Sequence, residues 1–193
     1  MNKSKILVVT GKPGVGKSTV LSELEKFTKQ TSNKFSVINY GTTMLKIAEA
    51  NGEKLHRDFL RRKSIKVQHQ LQLNAAKELA NLAKKTGSLV IDTHMIVRTE
   101  NGYLSGLPHD VLEELKPDTL ILIEADPNEI ISRRAKDATR IRDKILAEEV
   151  TQEIALSRAF ASACSILSGA PVKIIQNPHG KAADAAKEIL DLI

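Results

Sequence analysis

Apolar positions fall into two rhythms along this chain, and the rhythms alternate. Unbroken apolar runs occur at Ile6-Leu7-Val8-Val9, Leu89-Val90-Ile91 and Leu120-Ile121-Leu122-Ile123, with shorter ones near residues 35 and 172. Runs without a polar face predict strands covered on both sides, here Lys5–Thr10, Phe35–Asn39, Ser88–Asp92, Thr119–Glu124 and Val172–Gln176. The intervening segments carry the helical period. Val20, Leu21, Leu24 and Phe27 predict a helix from about Ser18 to Lys29. Leu71, Ala75, Leu79 and Leu82 predict a long amphipathic helix, ended where Lys84-Lys85 meets the negative end of its dipole and Gly87 caps it. Tyr40-Gly41-Thr42-Thr43 reads as a turn with a threonine cap before Met44, Leu45, Ile47 and Ala48, and Asn51-Gly52 stops that helix. Pro108 begins a short helix to Leu115, and Asp126-Pro127 caps another to about Ala135. A further helix spans about Ala147 to Leu167, with Ala155, Ala159, Ala163 and Ile166 on one face, and Lys181–Ile193 forms the last. Residues 93–107, holding Gly102 and Gly106, read as a loop.

Strands alternating with helices predict an α/β fold with a five-stranded, mostly parallel, doubly wound sheet. A ligand then lies at the carboxyl ends of the strands, beyond Thr10, Asn39, Asp92, Glu124 and Gln176. With 193 residues the chain makes a single domain (1–193), and the polar insertions at about 41–66 and 136–144 read as flaps over one core. No apolar run is long enough for a membrane span, and the chain enters its first strand without the order of a signal peptide. The lone Cys164 rules out an intrachain disulfide and reads as a buried small hydrophobe, which agrees with a cytoplasmic protein. The net charge of +6 fits either a polyanion surface or a site handling several phosphates. With no basic tail and no aromatic platform for bases, the phosphate reading is favoured and a nucleic-acid partner is not expected.

Candidate chemistry starts at Gly11-Lys12-Pro13-Gly14-Val15-Gly16-Lys17-Ser18-Thr19, between the first strand and the first helix. In that setting a G-x-x-x-x-G-K-[ST] match predicts a backbone cradle for phosphates, with Lys17 reaching the terminal ones and the Ser18 hydroxyl on a magnesium ion. Asp92, at the tip of an apolar strand, is placed for the metal's water shell, although strands also end in Asp for turn reasons. Arg133, Arg134, Arg140 and Arg142 form one guanidinium cluster. Arg57, Arg61 and Arg62 form a second, in which Arg57 and Arg61 share a helix face and repel unless an anion lies between them. One bound nucleotide does not require two arginine clusters; a donor plus a phosphorylated acceptor does. The histidines at 56, 69, 94, 109 and 179 show no metal-ligand spacing.

Taken together these blocks resemble the archaeal type of adenylate kinase. The carrying residues are Gly11–Thr19, Asn39-Tyr40-Gly41-Thr42, Arg57-Asp58-x-x-Arg61 and Val90-Ile91-Asp92-Thr93-His94. They continue with Gly102-Tyr103-Leu104-x-Gly106-Leu107-Pro108 and Arg133-Arg134-x-x-Asp137-Ala138-Thr139-Arg140-x-Arg142-Asp143. The resemblance implies a three-layer P-loop NTPase fold with an AMP-binding flap and a short lid. It also implies reversible transfer between ATP and AMP with Mg²⁺, and a homo-oligomer, commonly a trimer. By carry-over ATP is held by Gly11–Thr19, with Arg134 near its adenine and Asn177 bordering it. Lys17, Arg134, Arg140 and Arg142 are the catalytic set, and Ser18 and Asp92 serve the metal. Thr42, Arg57, Arg61 and Arg98 are the AMP candidates. A single cysteine excludes a four-cysteine zinc lid. The chain departs from the bacterial pattern in having Asp92-Thr93-His94 in place of D-G-F-P-R and Lys46 in place of an arginine. A P-loop ATPase of RNA or ribosome assembly, or a kinase for another small acceptor, stands as the alternative.

Overall fold

The computed structural model describes residues 4–28, 35–52, 63–99, 102–136 and 147–193. Its central sheet has the order β2-β3-β1-β6-β7, built from β1 (Ile6–Gly11), β2 (Phe35–Asn39), β3 (Ser88–Asp92), β6 (Thr119–Glu124) and β7 (Val172–Gln176). All four neighbouring pairs are parallel. The helices are α1 (Lys17–Thr28), α2 (Tyr40–Ala50), α3 (Ile65–Thr86), α4 (His109–Leu115), α5 (Pro127–Lys136), α6 (Ala147–Ser168) and α7 (Ala182–Leu190).

Alternation along the strands feeds two cores. Ile6 and Val8 of β1 join Leu120 and Leu122 of β6 on one face, against Met44, Leu79, Leu112 and Ala161 from α2, α3, α4 and α6. Leu7, Val9, Ile121 and Ile123 face the other way, onto Val20 and Leu24 of α1 and Ile189 of α7. The result is three layers. Each fully buried Leu or Ile contributes about 1.5–3 kcal/mol, so the inner strands fix the position of everything at their tips. At the tip of β6, the buried Glu124 carboxylate takes a fork of bonds from Arg158 of α6 at 2.8 and 2.5 Å.

Three sequence expectations change. Residues 93–107 are not a plain loop, for β4 (Ile96–Thr99) and β5 (Gly102–Ser105) form an antiparallel hairpin. Its signals are the run Ile96-Val97-Arg98-Thr99 and the Gly106 position, where a Cβ would run into the His94 carbonyl. The second helix starts at Tyr40, earlier than expected, and its cap is Asn39, whose side chain accepts from the Thr42 N–H at 3.0 Å. On α6 the buried positions are Val150, Ser157, Ala161 and Cys164, whereas Ala155, Ala159, Ala163 and Ile166 face outward. Within the segment read as a flap, Gly41–Ala50 belongs to α2, Ile65 and Lys66 open α3, and 53–62 lie outside the described residues. So do 137–144 of the segment read as a lid.

Candidate active site

Between β1 and α1 the chain must reverse tightly enough to start a helix at Lys17. Gly14 and Gly16 do this at φ 94° and 85°, a region side chains rarely enter. The turn is closed by Val15 N–H donating to the Lys12 carbonyl at 3.2 Å. The loop is also braced from outside. Arg134 Nε donates to the Pro13 carbonyl at 2.7 Å. The Val15 carbonyl accepts from Arg133 Nη1 at 2.9 Å and from Asn177 Nδ2 at 2.7 Å. In a trans peptide the C=O and the next N–H point in opposite directions. With the Pro13 and Val15 carbonyls held on the outer wall, the N–H groups of Gly14 and Gly16 turn into the hollow, as an anion cradle requires.

Arg133 and Asn177 also hold one another. Arg133 Nη2 donates to the Asn177 carbonyl at 3.0 Å and pairs with Glu129, one turn earlier on α5, at 2.6 Å. Asn177 leaves no room for a side chain at Gly16, since a Cβ there would lie 2.5 Å from its Nδ2. The structure thus places Arg134 and Asn177, both buried, against the loop's outer backbone.

On the inner side, Lys17 Nζ meets one oxygen of Asp92. The second Asp92 oxygen accepts from Asn39 Nδ2 at 2.6 Å. Sheet register brings these groups together, because Asn39 on β2 and Val9 on β1 both flank Asp92 on β3. Asn39 therefore orients the carboxylate while capping α2 with its other side-chain atom. The sequence pointed to Asn39 only as part of a motif; its role emerges from the register.

Beside Lys17 and Asp92 opens a cavity of about 120 Å³, walled by Tyr40, Met44, Gln72, His94, Val97 and Gly106 among others. The Tyr40 hydroxyl donates to the Gln72 carbonyl at 2.5 Å, and burial raises the phenol above its ordinary value. Thr42 sits exposed on the first turn of α2, its hydroxyl 3.1 Å from the Asn39 side-chain oxygen. Arg98 is exposed on β4 opposite Tyr103, close enough for its charge to act on Lys12. Ser18 and Thr19 are exposed on the first turn of α1. Arg57, Arg61, Arg140 and Arg142 lie outside the described residues. Two further charged residues, Glu129 and Glu153, went unnoticed in the sequence. Glu129 had a signal in its i,i+4 spacing from Arg133, and Glu153 had none.

Comparison with known proteins fits this geometry. The model of a family described as "AAA domain" matches residues 10–151. A protein named adenylate kinase from Methanocaldococcus jannaschii is 39% identical over 191 residues, covering 99% of each chain. Another of that name from Sulfurisphaera tokodaii is 43% identical over 190 residues, covering 97% of this chain and 98% of its own. Among solved structures, a shikimate kinase from Acinetobacter baumannii superposes with a TM-score of 0.60 at 16% identity, over 99% of this chain and 93% of its own. At that identity the likeness is one of fold.

Proposed function

We infer the reaction from the premise that this chain belongs to the adenylate kinase family, whose members match it along nearly its whole length. It is a nucleoside monophosphate kinase that moves a phosphoryl group between ATP and AMP. One observation carries the detailed reading: the phosphate cradle and a half-open cavity share a single wall, made of Lys17 and Asp92. The donor triphosphate lies in the Gly11–Thr19 loop, and the acceptor monophosphate enters from the cavity side. An acceptor phosphate oxygen forms the new bond to the γ-phosphorus as the β–γ bridging bond breaks, and ADP leaves on each side.

Phosphoryl transfer needs little covalent help and much positioning. Lys17 leaves Asp92 for the terminal phosphates, and Asn39 keeps the freed carboxylate pointed. Mg²⁺ fits the residues present: Ser18 offers a hydroxyl and Asp92 one carboxylate. Sparse oxygen donors suit an ion that keeps waters and phosphate oxygens in its shell. Held by Ser18 and Asp92, it would supply positive charge against the negative charge that develops on the phosphates. Arg134 and Asn177 contribute by shaping the loop beside the adenine. Arg140 and Arg142 serve the transferred phosphate, and Thr42, Arg57, Arg61 and Arg98 serve AMP.

The described residues include no helix long and apolar enough to cross a membrane. A homo-oligomer is supported by Ile166 and Leu167 on α6 and Ile174 on the edge strand β7, which are 85%, 53% and 41% exposed. The carrying test is a coupled assay of ATP with each nucleoside monophosphate in turn. AMP yields ADP at about 1–100 per second, the ordinary kinase range. An inert AMP together with RNA-stimulated ATP hydrolysis would sink the kinase reading.

A further inference from the structure

Lys12 is the one residue of the phosphate loop with a charged side chain that the transfer does not use, and it is not turned out to water. Its side chain is 11% exposed, and its ammonium lies 3.3 Å from Glu153 Oε2, on the second turn of α6. The same oxygen is 3.5 Å from Arg134 Nη2. On its other side Lys12 Nζ stands 5.8 Å from the centre of the Tyr103 ring, within cation–π range. Burial pulls the Lys12 ammonium below the ordinary lysine value. Glu153 opposes that pull, while Arg134 and Arg98 add to it.

We propose that Glu153 is a positioning residue for the donor half of the site, one carboxylate that holds Lys12 and Arg134 and thereby the first half of the phosphate loop. Lys12 and Pro13 are consecutive. Glu153 holds the first through its side chain and the second through Arg134, whose Nε takes the Pro13 carbonyl. The second half of the loop hangs instead on Arg133 and Asn177 at Val15. The loop therefore has two separate anchors, and Glu153 belongs to the first alone. Glu153 Oε2 is buried and makes no directed hydrogen bond among the described residues, so the link is charge attraction shared between two cations. Removing the charge takes from Lys12 and Arg134 the carboxylate they share in a poorly solvated place, and weakens the hold on the guanidinium that donates to the Pro13 carbonyl.

This inference rests on the reading of the loop as the ATP site, and the experiment separates the two. ATP affinity is measured by direct titration and ATP and AMP KM by turnover, for wild type and for Glu153→Gln, Glu153→Asp, Lys12→Met and Lys12→Met/Glu153→Gln. Glu153→Gln weakens ATP binding and raises ATP KM about fivefold or more, the size of coupling expected within one ionic network. AMP KM and kcat at saturating ATP stay within about twofold, the pattern of lost ground-state binding at one substrate. Glu153→Asp shifts ATP KM less, in the same direction, and serves if the glutamine variant does not fold. The double variant is less impaired than the product of the single effects. An unchanged or lowered ATP KM in a folded Glu153 variant overturns the proposal. So do ATP and AMP KM rising alike, or single effects that multiply. If wild type binds ATP but leaves AMP unphosphorylated, the kinase reading fails, and the ATP titrations still decide the role of Glu153.

Discussion

Lys17 shows how much one residue depends on its neighbours. Its ammonium rests against Asp92, so the cation that must reach the phosphates is already aimed at the strand tip. Asn39 keeps Asp92 in place when Lys17 moves. Lys17→Met is expected to lower transfer about 10³-fold or more, the range for losing a charge from a phosphoryl clamp. Circular dichroism should show the fold intact, because Lys17 lies outside both apolar clusters. Turnover near wild type would contradict the site. The loop, Lys17 and Asp92 were legible because their spacing and strand-tip position are local properties of the chain. The destination of Arg134 was not: its pattern resembles a ligand clamp, and only tertiary structure shows its guanidinium on the Pro13 carbonyl.

Among the elements, strands were read best. Phe35–Asn39, Ser88–Asp92, Thr119–Glu124 and Val172–Gln176 have the expected bounds, since a covered strand leaves an unbroken apolar run. Helix α6 was read poorly on its faces, because alanine and serine are tolerated on either side and give little contrast. The hairpin β4–β5 hid behind its glycines. The packing of α3 on α4 carries a titration of its own. His69 Nε2 lies 2.9 Å from Asp110 Oδ1. Desolvation pushes Asp110 upward, but the His69 bond and charge and two backbone N–H bonds outweigh it and hold the carboxyl below its ordinary value. An acid with a lowered folded pKa adds stability that is present above its unfolded value, about 3.9, and is lost as pH falls through the folded one. His69→Gln should therefore lose stability relative to wild type at pH 5–7, and the gap should close towards pH 3. Urea unfolding across that range measures it; a pH-independent gap would mean the pair contributes packing alone.

At the scale of the molecule, the all-parallel sheet sends the tips of β1, β2 and β3 to one rim, where the phosphate loop, Asp92 and the cavity proposed for the acceptor meet. The outward stripe of α6 and the edge strand β7 remain as apolar surface. If they join copies of the chain, Ile166→Glu/Leu167→Glu should yield monomers in light scattering, with the ATP and AMP sites of each copy still occupied on titration. A wild-type monomer would remove the assembly from the account.

The chain has no tryptophan and two tyrosines, and they sit in different halves of the site. Tyr40 walls the cavity proposed for AMP, and Lys12 of the phosphate loop lies over the Tyr103 ring. Intrinsic ultraviolet emission from this protein is therefore a two-channel optical signal, free of indole background. Tyr40→Phe should silence the AMP channel and Tyr103→Phe the ATP channel. The order in which the two substrates arrive could then be timed by stopped-flow without attaching any dye.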